Sequence, residues 1–227
     1  MSDMALRSPA CGLVFAVLVA GAYACTAAPP RPPAAPRAAV QRAPLQIGEA
    51  PLVYEQTEET PDGRYVGGTA YVLVDALPDQ VMALLDDTDC YWQVLPRVWD
   101  VKLLGWDKGE RIVELEQGTQ LVRGRYTARV RTEHLPGSRH AIRFTLDKTR
   151  PHSLRDAHGS VEIEPYGPRQ SLVTWRVKFD LGPGIVRWLF EERIRRASLL
   201  TPVLLRTYVE SRVERAKASL QEAAPQP

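Results

Sequence analysis

The sequence predicts an α+β fold in which an antiparallel sheet of about seven strands lays its apolar face on one long C-terminal helix. Three observations predict it. From Arg64 to Asp180, apolar and polar residues alternate in short runs separated by turn residues. From Ile185 to Tyr208 the apolar spacing changes to three and four, the period of a helix. Gly182-Pro183-Gly184, a breaker cluster, marks the change.

Residues 1–24 read as a secretory leader. Arg7 gives a positive start offset by Asp3, Gly12 to Ala22 is an apolar run too short to span a bilayer, and Ala22-Tyr23-Ala24 offers a small-x-small cleavage site. Cys25 follows at once. This stretch resembles a bacterial lipoprotein box, with Ala22 where that pattern prefers Leu and Tyr23 larger than its usual residue. The resemblance implies lipidation of Cys25 and a periplasmic, membrane-anchored protein; ordinary secretion and an uncleaved anchor are the alternatives. Residues 25–50 are a Pro/Ala-rich linker, with five prolines from Ala28 to Pro36. Such a composition buries no core and stays extended, as a tether would.

The domain is expected over residues 51–217, with a disordered tail at 218–227. Arg64 to Leu77 reads as the first strand, with Val66, Ala70, Val72 and Val74 on one face. Gly67-Gly68 inside it predicts a bulge or a tight bend. Pro78 opens a short helix with Asp79 early in it, Asp86-Asp87-Thr88-Asp89 ends it, and Cys90 to Leu95 forms a second. Strands follow in order: one from Val98, then, after Asp107-Lys108-Gly109, Ile112–Gln117, and then Gly124–Thr132. After Pro136-Gly137 come His140–Asp147 and Ser160–Glu164, and after Gly167-Pro168 comes Leu172–Asp180. Short turns between consecutive strands imply antiparallel neighbours. In the last helix Ile185, Trp188 and Leu189 share a face that Leu199, Leu200, Val203, Leu204 and Tyr208 continue. Glu191–Arg195 and Glu192–Arg196 are spaced as helical ion pairs, and Pro202 predicts a break near Ser198–Thr201.

A formal charge of +2 gives no electrostatic case for nucleic acid. The three cysteines, Cys11, Cys25 and Cys90, make no disulfide framework or metal pattern, and Cys90 is expected as a small buried residue. His152, Ser153, Asp156 and His158 lie close in sequence, but without a third ligand frame or a nucleophile elbow they read as a loop. Asp86, Asp87 and Asp89 lack the spaced ligands of a calcium loop. Arg125 and Arg143 fall on the outward face by alternation; a one-residue slip would turn them inward, where they would hold an anionic head group. The sequence assigns no catalytic residue, metal or cofactor.

The order of elements, together with Arg150-Pro151, Gly159, a strand ending at Pro165, Leu172-Val173-Thr174-Trp175, Gly182-Pro183-Gly184 and Trp188-Leu189, resembles the START-like (SRPBCC) helix-grip superfamily. The match is to its polyketide cyclase/dehydrase and lipid-transport branch and covers Tyr65 to Lys217; Pro183 lies further from the Trp-Leu pair than that branch places it. The resemblance implies a curved sheet of about seven strands wrapped on the long helix, with a cavity for a lipid or another apolar molecule between them. Aromatic residues proposed for its lining are Trp92, Trp99, Tyr126, Phe144, Trp175 and Trp188. Val113, Leu115, Ala128, Val177, Leu200 and Leu204 are the aliphatic candidates. The leading expectation is an exported, membrane-tethered binding protein. A cyclase/aromatase-type enzyme using the same cavity is the runner-up, and an envelope-complex scaffold the third reading. An inward buried acid or His would favour the enzyme, and an exposed apolar patch over a filled core the scaffold.

Overall fold

The computed structural model describes residues 51–222 other than Asp62 and Leu121. The leader, the linker with Cys25, and residues 223–227 lie outside the described residues. The strands are β1 (Leu52–Thr60), β2 (Gly63–Val74), β3 (Val98–Asp107), β4 (Glu110–Gly118), β5 (Arg123–Leu135), β6 (Arg139–Leu146), β7 (Asp156–Tyr166) and β8 (Gln170–Asp180). They form one open eight-stranded sheet in the order β1-β2-β8-β7-β6-β5-β4-β3, antiparallel throughout. The sheet and long C-terminal helix make the helix-grip fold that the sequence predicts, with one strand more than expected.

The extra strand is β1. Its sequence, LVYEQTEET, is exposed almost throughout, so it carries no alternation between a buried and a solvated face. It stands because β2 offers a free edge and pairs with it from Leu52↔Tyr71 to Thr60↔Gly63. Gly67 and Gly68 make no bulge, since pairing runs in register through both. They mark close approach instead: a Cβ at Gly67 would fall 1.9 Å from the Val177 carbonyl oxygen.

Between β2 and β3 lie α1 (Pro78–Leu85), a single 3-10 turn (Thr88–Cys90) and α2 (Tyr91–Val94). The Asp87 side chain accepts from the Asp89 amide at 3.0 Å and so caps the turn. Hairpin turns fall where the sequence places them; Lys108 (φ 50°) and Gly109 (φ 80°) adopt the paired left-handed conformation that a two-residue hairpin needs.

The C-terminal helix is two pieces, α3 (Ile185–Leu199) and α4 (Thr201–Glu222). Leu200 separates them, and Pro202 sits in the first turn of α4, where its missing N–H costs no helical bond. α4 runs past Lys217, where the sequence reading ends it, to Glu222. The break also resets the buried stripe. Leu205, Val209 and Val213, spaced by four, enter the core together with Leu199, whereas Leu200 is 54% exposed and Val203 and Leu204 are half-buried. One predicted ion pair forms, Glu192–Arg196 at 2.5 Å. The other does not: Glu191 binds Arg64 at 3.2 Å and Arg195 binds Glu55 at 3.0 Å, so both fasten α3 to β1 and β2.

The core lies between the inward sheet face and the helices. Val66, Val72, Val113, Ile163 and Val173 from the strands meet Val81 and Leu85 of α1 and Leu205 and Val209 of α4. Each such fully buried side chain contributes roughly 1.5–3 kcal/mol. α4 packs on β2 and β8 and against α1 and α2. Among the described residues no helix is long and apolar enough to cross a membrane.

Candidate functional site

Strand register fixes which side chains share the inward face. Leu115 stands opposite Tyr126, Val113 opposite Ala128, and Val130 opposite Phe144. Phe144 pairs with Gly159, Gly159 with Val177, and Val161 with Trp175. The predicted candidates Val113, Leu115, Tyr126, Ala128, Phe144, Trp175 and Val177 therefore lie on one side of one sheet. Val113, Leu115, Ala128, Trp175 and Val177 are buried, and Tyr126 and Phe144 are partly buried against them. The Phe144 and Trp175 rings sit 5.6 Å apart at a 32° tilt, a favourable offset arrangement.

Four candidates sit elsewhere. Trp188 is 82% exposed on α3, and Leu200 occupies the exposed break. Trp92 faces solvent from α2. Trp99 lies at a register shift on edge strand β3, where its indole N–H donates to the Gly118 carbonyl at 2.9 Å and the Arg123 guanidinium lies 3.8 Å from the ring centroid. Sequence reading assigns these four to the interior because large apolar residues on or beside a helix or strand face read as core. The β3 irregularity, which turns Trp99 outward, leaves no such signal. Beyond them on β3, Leu103, Leu104 and Trp106 are exposed large apolar residues.

Polar groups punctuate the apolar face. The Tyr126 hydroxyl donates to Gln117 Oε1, and Gln117 Nε2 donates to the Pro96 carbonyl at 3.0 Å. Burial pushes the Tyr126 phenol well above its ordinary value, so it stays protonated. Arg111 is 2% exposed and faces inward, opposite Val130. Its guanidinium binds the Asp86 carbonyl and, at 3.2 Å, the Asp86 carboxylate, closing the C-terminal end of α1. His140 is buried beneath α1: Nε2 lies 2.8 Å from Asp79 Oδ1 and Nδ1 lies 3.0 Å from His134 Nδ1. A carboxylate only accepts, so His140 Nε2 carries the proton and a neutral His140 accepts from His134 Nδ1–H. Arg111 and His140 were not among the sequence candidates, because their partners lie far along the chain.

Arg125 and Arg143 are exposed on the outward face, paired with Glu116 at 2.9 Å and Glu133 at 3.2 Å. The register is not slipped. The cluster near His152 divides among separate tasks: Ser153 Oγ accepts from the Arg125 amide at 3.0 Å, and Asp156 accepts from Tyr65 at 2.7 Å and Lys148 at 3.0 Å. Cys25, the predicted lipidation site, lies outside the described residues.

Residues 68–224 match the family model described as polyketide cyclase/dehydrase and lipid transport. The chain belongs to this family. No curated protein matches it. Among solved structures, the STAR-related lipid transfer protein of Xanthomonas axonopodis is similar at 19% identity and TM-score 0.60, covering 72% of this chain and 96% of that one. The Zhui aromatase/cyclase of Streptomyces sp. R1128 is similar at 17% identity and TM-score 0.55, covering 66% and 95%. Human StAR-related lipid transfer protein 5 is similar at 9% identity and TM-score 0.52, covering 69% and 86%. At these identities the structural likeness establishes the shared fold. The family holds lipid-binding proteins and cyclases alike, and membership implies a hydrophobic ligand or a cyclase-like reaction.

Proposed function

We propose that this chain is an exported carrier, tethered to a membrane through a lipidated Cys25, that holds a lipid-like ligand between the inward sheet face and α4. The observation that carries the reading is the inward row Tyr126, Phe144 and Trp175, set among buried aliphatic residues on the side of the sheet that faces the helices. Such an apolar surface with a few fixed polar groups suits an apolar guest. The leader-like start, the Pro/Ala linker and the family match support it.

One observation bears on the cyclase reading. His140 is the inward, buried His that acid–base chemistry would use, yet both ring nitrogens are engaged by Asp79 and His134. It has none left for a substrate proton, and it serves better as a brace for α1. The exposed Leu103, Leu104 and Trp106 of β3 are the surface that a scaffold reading would use.

The test is native mass spectrometry of the full chain as recovered from its own cells. A mature N-terminus at Cys25 with a lipid mass, and a co-purifying apolar species, are expected. An unmodified N-terminus removes the tether. A folded, empty protein that takes up no fatty acid, phospholipid or sterol overturns the carrier.

A further inference from the structure

Three buried polar atoms have no hydrogen-bond partner among the described residues: Trp175 Nε1, Thr201 Oγ1 and Arg195 Nε. Each can donate. Trp175 is 8% exposed and Thr201 1%. A buried donor without an acceptor is costly, and folded proteins leave few of them. These donors call for an acceptor that the described residues do not provide.

Their placement is shared. Trp175 sits on the inward face of β8, paired with Ala70 of β2 and Val161 of β7. Arg195 crosses the same end of the sheet, since its guanidinium binds Glu55, the β1 residue opposite Gly68. Thr201 opens α4, which packs on β2 and β8, and Leu199 beside it is part of the same core as Trp175. All three donors therefore belong to the layer between the β1–β2–β8 part of the sheet and the α3–α4 junction.

Charge narrows the acceptor. The Arg195 guanidinium already binds both Glu55 and Glu192. A carboxylate arriving here would be the third acid around one cation, and the two glutamates already there would repel it. A neutral oxygen meets no such penalty.

We propose that Trp175 Nε1, Thr201 Oγ1 and Arg195 Nε form the subsite for a neutral carbonyl oxygen, an ester or a ketone, at the polar end of the apolar ligand. This rests on the carrier reading above and adds the chemical class of its cargo. The hydrocarbon part lies along Phe144 and the aliphatic inward face, and the carbonyl takes the donors.

The full chain tests this by displacement of neutral N-phenyl-1-naphthylamine with three probes of equal chain length: methyl palmitate, palmitate and hexadecane. Methyl palmitate is expected to bind about tenfold more tightly than hexadecane, the worth of one or two hydrogen bonds to an otherwise unpaired donor. Trp175→Phe keeps an aromatic side chain, smaller than the indole, and removes the N–H; Thr201→Val keeps the shape and removes the hydroxyl. In each variant the ratio of ester to hexadecane affinity should fall from about tenfold to about one. The Trp175 indole N–H resonance, assigned by its loss in Trp175→Phe, should move downfield with the ester and not with hexadecane. Equal affinity for ester and hydrocarbon, or an equal loss of both in Thr201→Val, would mean the donors are served by water alone and overturns the subsite. Tightest binding of palmitate overturns its neutral character. If none of the three displaces the dye, the carrier reading falls with it.

Discussion

The Phe144 ring occupies the space that a side chain at residue 159 would need: a Cβ built on Gly159 falls 2.3 Å from Phe144 Cζ. It would also fall 2.3 Å from the Arg176 carbonyl oxygen, which cannot move without breaking the sheet. The glycine thus seats Phe144 against Trp175. Gly159→Ala should lose roughly 1–3 kcal/mol of stability, the usual cost of overpacking a closed core. Urea unfolding monitored by tryptophan fluorescence reads both the midpoint and the disturbed Phe144–Trp175 contact. An unchanged midpoint would show that the ring is not seated there.

Arg111 is a buried cation answered by Asp86 from outside the core. Removing the guanidinium leaves the Asp86 carbonyl and the Thr132 hydroxyl with fewer partners at the end of α1. Arg111→Ala should cost about 2–5 kcal/mol, chiefly for the cavity it leaves in the core, because the Asp86 carboxylate left behind is half exposed. Arg111→Met, which refills the volume without the charge, should cost clearly less. Thermal unfolding of the two variants side by side checks the order; equal losses would mean that the guanidinium's bonds, not the emptied volume, set the value.

These two sites show where the sequence is legible and where it is not. The strands from β4 to β8 announce themselves because one face is buried and the other solvated, as in Tyr126, Ala128 and Val130 against Arg125, Arg129 and Arg131. β1 does not, because both faces of an edge strand meet water. His134 and His140 flank the Pro136-Gly137 turn, so their pairing across the hairpin follows from the turn position. Asp79, which completes that contact, comes from α1, and only the packing of the helix on the sheet brings it there. Trp188 and Leu200 misled for a related reason: an apolar stripe at helical spacing does not say which of its members meet the sheet, and Leu205, Val209 and Val213 carry the buried stripe of α4 instead. The donors Trp175, Arg195 and Thr201 are invisible as a group in sequence, since being unpartnered is a property of the packed state alone.

Cys90 lies in the core beside α2, and burial pushes its thiol up to about 12. The thiolate is the reactive form, so at pH 8 the folded protein should protect Cys90 from iodoacetamide. Modification should appear only as denaturant unfolds the chain, with a midpoint matching fluorescence. Peptide mapping separates Cys90 from the other cysteines. Rapid labelling in native buffer would place the thiol at the surface.

Asp147 closes β6, and its carboxylate accepts from the Thr149 hydroxyl at 2.6 Å and the Thr149 amide at 3.1 Å. Those bonds, the Thr149 hydroxyl first, hold its carboxyl below the ordinary carboxylate value against the opposing effect of desolvation; Arg129 and Arg150 add to them. The unfolded chain therefore binds a proton at a higher pH than the native one. The stabilisation is complete above the unfolded value of about 4 and is lost as pH falls toward the lower native value. Asp147→Asn should lower stability at pH 7 and flatten the decline between about pH 4 and pH 2, because asparagine has no proton to take up. Thr149→Val should do the same to a smaller degree. Urea midpoints across that range decide the matter: if Asp147→Asn keeps the full acid slope, other carboxylates carry it, and the Thr149 contact contributes nothing to acid sensitivity.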